Sequence, residues 1–159
     1  MSELIRIARV DDYEAVCTLY KGLDKYHVEV DPNHFRSYEG PARTKDRFLE
    51  LLNNPDWFFY VSEQGATLNG FVNGYENASR PLPFLVPQRL GLVQNLYVSP
   101  SARGVGLGKA LMAVVEAWAR KRQLGGLELD VIANNTLALQ FYEMMGFERT
   151  RIHLKLPLT

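Results

Sequence analysis

Val98-Ser99-Pro100-Ser101-Ala102-Arg103-Gly104-Val105-Gly106-Leu107-Gly108-Lys109-Ala110-Leu111 decides how this chain folds. Ahead of it, Leu92 to Val98 is apolar and β-prone, which predicts a strand. Behind it, Leu107, Leu111, Val115 and Trp118 recur at helical spacing. Glycines at alternate positions and one arginine fill the join. Backbone N–H groups of such a turn can converge on one concavity at a helix N-terminus. The positive end of the helix dipole strengthens that concavity as an anion seat. The stretch therefore predicts a strand, a phosphate-holding turn and a helix in succession.

Two familiar phosphate loops fail on single residues. The dinucleotide fingerprint G-x-G-x-x-G needs glycine where Lys109 stands. The P-loop G-x-x-x-x-G-K-S/T needs glycine at Arg103 and a hydroxyl residue at Ala110. The pattern that fits is Q/R-x-x-G-x-G/A, read as Arg103-Gly104-Val105-Gly106-Leu107-Gly108.

Working outward toward the N-terminus, Trp57 to Ser62 and Leu68 to Asn77 form a predicted antiparallel hairpin turning at Gln64-Gly65-Ala66. The proline-rich residues 79–88 form a loop with Leu82, Phe84, Leu85 and Val86. Those side chains suit packing onto the domain, an acceptor-pocket wall or an oligomer contact. Further back, Leu4 to Val10 predicts a first strand. Asp11 or Asp12 is expected to cap a helix carrying Tyr13, Val16, Cys17, Tyr20 and Leu23 on one face. A second helix is expected from about Thr44 to Asn53. Toward the C-terminus, the long helix is expected to reach about Gln123 and break at Gly125-Gly126. Leu127 to Ile132 then predicts a strand. Asn134 or Asn135 caps a short helix that Gly146 ends in left-handed conformation. Arg149 to Leu156 alternates basic and apolar residues, which predicts a final strand with one buried face. The order is β-α-α-β-β-β-α-β-α-β, a mixed α/β (α+β) fold with helices on both faces of the sheet.

The 159 residues predict one domain, 1–159, with a real core. A formal net charge of zero gives no electrostatic grip on nucleic acid or an anionic membrane. The single cysteine, Cys17, rules out an internal disulfide and a cysteine zinc site, and no metal is expected. It falls on an apolar helix face, as a buried structural thiol does. No apolar run approaches the roughly 18 residues of a membrane span. No signal-type segment opens the chain, so the cytoplasm is the expected compartment.

A second motif joins the glycine-rich turn. Asn135-Thr136-Leu137-Ala138-Leu139-Gln140-Phe141-Tyr142-Glu143-Met144-Met145-Gly146-Phe147 resembles the N-x-x-A-x-x-x-Y-x-x-x-G-F segment of the GNAT N-acetyltransferase superfamily. Arg103 to Gly108 resembles that superfamily's acetyl-CoA pyrophosphate loop, and the element order resembles its fold along nearly the whole chain. The resemblance implies a mostly antiparallel sheet with one splayed parallel pair, and acetyl-CoA as co-substrate. It implies that Arg103, Gly104, Val105, Gly106, Leu107, Gly108 and Lys109 surround the pyrophosphate. Leu96, Tyr97 and Val98 would pair with the pantetheine arm, and Asn135 would touch that arm or hold the slot open. The glycines would be there because a Cβ would crowd the phosphates.

The implied chemistry is acyl transfer to a neutral amine. Tyr142 matches the general acid that protonates the departing thiolate, and lies beside the cofactor. A backbone N–H near Asn95–Leu96 would serve the oxyanion. Many relatives carry a glutamate base on the central strand, but here Gln94-Asn95-Leu96-Tyr97-Val98 stands, and neither amide can accept a proton. Substitutes are Glu76, Asp130, Tyr97, His27, His34 or ordered water, or no side-chain base at all, with proximity and Tyr142 supplying the rate. The resemblance places the acceptor pocket in residues 24–40 and 79–90. Asp24, Glu29, Asp31 and Glu39 lie there beside Tyr26, His27, His34 and Tyr38, which suits a cationic amine. The expected activity is acetyl transfer to a small amine, amino acid or polyamine. A protein or peptide acceptor and a non-catalytic acyl-CoA-binding module are the alternatives. A homodimer is also admitted, since dimers are common in the superfamily.

Overall fold

A computed structural model of the chain describes residues 3–158. Its elements are β1 (Leu4–Ile7), α1 (Tyr13–Val30), α2 (Lys45–Asn53), β2 (Trp57–Gln64), β3 (Thr67–Ala78), β4 (Arg89–Val98), α3 (Leu107–Lys121), β5 (Leu127–Glu128) and α4 (Thr136–Met144). The strands form one five-stranded sheet in chain order. All neighbours are antiparallel except β4 and β5, which run parallel.

The central strands are apolar on both faces, so the sheet is buried on both sides. Phe59, Val61 and Phe71 point to α1 and α2 and meet Val16, Tyr20 and Phe48. Phe58, Val72 and Val93 point the other way and meet Leu107, Leu111, Met112 and Val115 of α3. Phe71 and Val72, adjacent in sequence, are both fully buried. Each such side chain stabilises the fold by roughly 1.5–3 kcal/mol relative to exposure.

Two irregularities in β4 reshape one end of the sheet. Asn73 pairs with Asn95 and Gly74 with Val93, so Gln94 has no partner. This bulge bends β4. Gly74 lets the bent strand approach, because a Cβ there would strike the Leu92 carbonyl. β4 and β5 are paired only ahead of the bulge, at Gly91–Leu127 and Leu92–Glu128. The two strands then part, as the splayed parallel pair requires.

Several expectations are corrected. The strand expected to reach Ile132 stops at Glu128, where its one neighbour diverges. The final strand, 149–156, does not form. That stretch lies outside any regular element, and Ile152, Leu154 and Leu156 are exposed. Alternation encodes an apolar face but not the neighbour that must cover it. Asp12 does not cap α1 through its side chain. Its carboxylate instead accepts from Arg6 at 2.8 and 2.9 Å and from the Arg9 N–H at 2.6 Å. The long helix ends at Lys121, two residues early, because Gln123 takes the left-handed turn at φ 56°. Loop 79–88 closes on itself through Ser79 N–H to Gln88 O at 2.9 Å, and leaves Phe84 and Val86 exposed rather than packed on the domain.

Other readings hold. The second helix forms where expected, at Lys45–Asn53, and Thr44 caps it by accepting from Arg47 N–H. Asn135 caps α4, and Gly146 ends it at φ 93°. Cys17 is a buried free thiol.

Candidate active site

The parting of β4 and β5 opens a groove of about 590 Å³. Its walls are Gln94 to Val98 of β4, the turn from Ala102 to Lys109, Asp130 to Ile132 after β5, and α4 from Asn135 to Tyr142. Leu23, Tyr26 and His27 of α1 close one end. Apolar walls with a few convergent polar groups are the usual make-up of a small-molecule cleft.

The turn holds the two left-handed positions that glycine permits. Gly104 sits at φ +82° and Gly106, the residue before α3, at φ +87°. Nothing lies within 4 Å of where a Cβ would be at either position. Both positions call for glycine through their backbone conformation. Gly108 differs: a Cβ there would come within 3.2 Å of Phe141, so this glycine lets α4 pack on α3. The N–H groups of Leu107, Gly108 and Lys109 open α3 and have no intrahelical acceptor. These three residues line the groove, as do Gly104 and Gly106. Val105 does not line the groove, and its side chain is 76% exposed.

Arg103 folds back. Its Nε donates to Val98 O at 2.9 Å, and its guanidinium lies 5.7 Å from the Tyr97 ring centre and 6.0 Å from that of Tyr26. Leu96 and Val98 line the groove. Tyr97 contributes differently. Its ring is buried in the first core against Gly22, so its side chain is not available as a base. Asn135 does two jobs through one oxygen: its Oδ1 accepts from Ala138 N–H at 3.2 Å and from Tyr26 Oη at 3.0 Å. The second bond ties α1 to α4 across the groove.

Tyr142 projects from α4 between Phe141 and Phe147, with ring centres 5.1 and 5.5 Å away. Burial pushes its phenol up to about 12. The hydroxyl therefore stays protonated through the neutral range, as a proton donor must.

The candidate bases separate clearly. Glu76 is held by Arg89 at 2.6 Å and Arg122 at 2.9 Å, which lowers its pKa, and it does not line the groove. His34 packs edge-on against Phe35 and is also outside the groove. His27 and Asp130 do line it. His27 stacks on Phe35 at 4.9 Å, and burial lowers its pKa, which keeps the imidazole neutral near pH 7. Asp24, expected to attract a cationic acceptor, is already engaged by Arg43 at 3.0 Å and by Tyr38 Oη at 2.7 Å. Burial first, then that hydrogen bond, raises Tyr38 to about 12. Residues 79–88 line neither this groove nor its neighbour.

That neighbour was not foreseen from the sequence. A cavity of about 180 Å³ is lined by Tyr20, Arg43, Arg47, Phe48, Leu51, Phe59, Gln94 and Asn95. Gln94 and Asn95, at the bulge, line both spaces. A buried relay backs them: Asn95 Nδ2 donates to Asn73 Oδ1 at 3.0 Å, and Asn73 Nδ2 to Tyr20 Oη at 2.6 Å. The available signal was Asn73 itself, a poor strand former amid apolar neighbours.

The Acetyltransferase (GNAT) family model matches residues 18–147. An uncharacterized N-acetyltransferase of Methanocaldococcus jannaschii is 27% identical over 90% of this chain and 58% of its own length. A mycothiol acetyltransferase of Acidothermus cellulolyticus is 37% identical over 64% of this chain and 32% of its own length. The chain thus spans less than two thirds of these curated relatives. An acetyltransferase of Pectobacterium atrosepticum is 27% identical over 91% of this chain and 86% of its own. Among solved structures, a mutant BH1408 protein from Bacillus halodurans superposes with TM-score 0.92 at 25% identity, covering 98% of this chain and 99% of that one. An aminoglycoside N-acetyltransferase in complex with CoA shares the fold at TM-score 0.74 and 17% identity, covering 98% of this chain and 99% of its own.

Proposed function

The chain belongs to the GNAT acetyltransferase family, and on that premise we propose that it moves an acetyl group from acetyl-CoA to the primary amine of a small molecule, with donor and acceptor bound together. One observation carries this reading: the groove and the smaller cavity share Gln94 and Asn95 as lining residues. A donor in the first space and an acceptor in the second come together at the bulge of β4.

The residues present fit acetyl-CoA. The amides of Arg103 to Gly108 would hold its pyrophosphate, in the open space that Gly104 and Gly106 leave. The backbone of Leu96 and Val98 would pair with its pantetheine arm as an added strand. The thioester supplies an activated acetyl group. The bulge at Gln94 takes backbone groups of β4 out of the ladder, and an N–H there serves the oxyanion. Tyr142 Oη holds the proton for the departing sulfur. His27, neutral in the same groove, takes the proton from the amine. Asn95, held by Asn73, orients the acceptor.

The smaller cavity also bears on acceptor class. It presents Arg43 and Arg47, and Arg43 stacks on the Tyr20 ring at 4.3 Å. Arg43 is paired with Asp24 at 3.0 Å and Arg47 with Glu50 at 2.9 Å, but the remaining N–H groups of the two guanidiniums suit an amine that also bears a carboxylate, so an amino acid fits the cavity better than a polyamine. Release of CoA thiol from acetyl-CoA, measured across amino acids, polyamines, aminoglycosides and short peptides, tests the reading. Faster release with amino acids supports it. Release with polyamines alone overturns the acceptor class, and release with peptides alone moves the function to protein acetylation. Acetyl-CoA binding without release to any amine makes the chain a binding module.

A further inference from the structure

The polar groups of the smaller cavity are partly engaged, and what remains defines a ligand. A guanidinium carries five N–H donors in a fixed plane. In Arg43, Asp24 takes one from each terminal nitrogen: Nη1 donates to Oδ2 at 3.0 Å and Nη2 to Oδ1 at 3.3 Å. Ala42 O takes the second hydrogen of Nη1 at 2.6 Å. Nε–H and one hydrogen of Nη2 are left without an acceptor among the described residues. These two form the second fork of the guanidinium, which a carboxylate fills bidentately. Arg47 donates through Nη1 to Glu50 Oε2 at 2.9 Å and keeps the same fork free among the described residues. Both arginines line the cavity, whereas Asp24 and Glu50 do not.

The amide of Asn95 has a fixed sense. Its Nδ2 donates to Asn73 Oδ1 at 3.0 Å, and Asn73 Nδ2 donates to Tyr20 Oη at 2.6 Å. With its nitrogen turned to Asn73, Asn95 keeps Oδ1, which no described residue engages as a donor. A carbonyl oxygen so placed accepts an N–H of a neutral amine and leaves the nitrogen lone pair for an acyl carbon. Asn95 lines the groove as well as the cavity, so an amine bonded to it sits where the two spaces share a wall.

The rest of the cavity is apolar. Phe48, Leu51 and Phe59 are all buried and complete its lining beside Tyr20. Such a surface favours hydrocarbon and disfavours a second ammonium group. Each guanidinium already has a carboxylate neighbour, so the residual positive charge is small. It matches a zwitterion better than an anion with two carboxylates.

Resting on the acetyltransferase reading, we propose that the smaller cavity is a three-point site for an α-amino acid with an apolar side chain. Asn95 Oδ1 holds the amine, the free forks of Arg43 and Arg47 hold the carboxylate, and Phe48, Leu51 and Phe59 receive the side chain. The neutral amine forms the N–C bond and the C–S bond of the thioester breaks. The amine proton passes to His27 and the sulfur takes one from Tyr142, giving an N-acetyl amino acid and CoA thiol. Asn73 is a positioning residue that sets the sense of the Asn95 amide.

The test compares kcat/KM of the wild-type protein for L-leucine and L-phenylalanine, their D-enantiomers, their amides, L-glutamate and spermidine. One enantiomer of an apolar amino acid is expected to exceed every other compound by about tenfold or more, because each analogue leaves a polar group of the site unpaired or misplaces the side chain. The amides lack only the carboxylate. Arg47→Gln, at a position whose side chain is 53% exposed, is expected to narrow the preference for acid over amide several-fold, through KM rather than kcat. Calorimetric titration of the CoA-bound protein with the preferred amino acid reads the site without turnover, and its Kd is expected to rise about tenfold in Arg47→Gln. Transfer that proceeds equally well with the amides, with both enantiomers or with spermidine overturns the amino-acid site and leaves the acetyltransferase reading standing. Faster transfer to glutamate overturns the apolar, zwitterionic acceptor. No transfer to any amine overturns the acetyltransferase reading itself. Calorimetry then decides the site: amino-acid binding weakened by Arg47→Gln supports it, and absence of binding overturns it.

Discussion

Tyr142 is a phenol kept protonated by burial, and it lines the groove. Removing that hydroxyl alone removes the proton donor. Tyr142→Phe is expected to lower kcat about 100-fold while leaving acetyl-CoA affinity nearly unchanged, the usual scale for loss of a general acid. Steady-state kinetics with a parallel binding titration check this, and full turnover would remove Tyr142 from the mechanism. His27 gives a pH signature. Burial lowers its pKa below the ordinary 6.5, so the acidic limb of kcat/KM is expected below pH 6.5. His27→Gln should abolish that limb and leave the rate following deprotonation of the amine itself. An unchanged limb would exclude His27. Gly104 and Gly106 are needed for their positive φ. A side chain there costs about 1–2 kcal/mol in the left-handed region. Gly106→Val is therefore expected to raise the KM for acetyl-CoA roughly tenfold or more, with kcat changed less. The turn's glycines, Tyr142 and the Asn135 cap were legible in the sequence because each rests on local backbone chemistry. The Asn95–Asn73–Tyr20 relay was not, because it joins residues 22 and 53 positions apart that only the sheet and α1 bring together.

At the scale of elements, the parting of β4 from β5 makes the site, and two polar clusters hold the sheet that allows it. Asn73 is fully buried, and its amide satisfies both Asn95 and Tyr20. Asn73→Ala leaves those groups without partners and is expected to cost about 2 kcal/mol of stability. Urea denaturation measures that loss, and a neutral result would show the relay to be solvated. The second cluster joins β1 to β2 and to the turn before α1: Arg6 binds Asp12 at 2.8 Å and Glu63 at 2.7 Å. The Arg6 hydrogen bond holds the Asp12 carboxyl below its ordinary 3.8. The folded state therefore binds this proton less readily than the unfolded chain. The resulting stability is complete above about pH 4 and is lost as pH falls through the lowered value. Asp12→Asn is expected to cost on the order of 1 kcal/mol near pH 7, after discounting for solvent screening. The difference from wild type should shrink in acid, and an equal loss at pH 7 and pH 3 would contradict this linkage. Helices and central strands were legible from apolar spacing and turn residues. The bulge at Gln94 was not, since it depends on a one-residue offset between β3 and β4. Residues 149–156 show the complementary failure: their alternation is that of a strand, yet no neighbour for it exists within the described chain.

Over the whole molecule, one sheet buried on both faces carries a large groove and a small cavity that share the lining residues Gln94 and Asn95 at one bulge. Helices α1 and α2 build one wall of the core, and α3 builds the other. No helix among the described residues is long and apolar enough to cross a membrane. The two sequence motifs, far apart along the chain, come to face each other across the groove, with Gly108 packing on Phe141 where they touch. The acceptor side was the part least legible in the sequence. Of its acids, Asp24 is ion-paired with Arg43, and its arginines come from the connection before α2 and from α2 itself. The groove is tested most directly by an equilibrium titration of the wild-type protein with acetyl-CoA, ATP and NADH, repeated on Gly106→Val. Saturable binding of one acetyl-CoA per chain is expected, with weaker binding of both nucleotides and marked loss of acetyl-CoA affinity in the variant. Tighter binding of ATP or NADH, or acetyl-CoA affinity indifferent to Gly106→Val, would contradict the assignment of the groove.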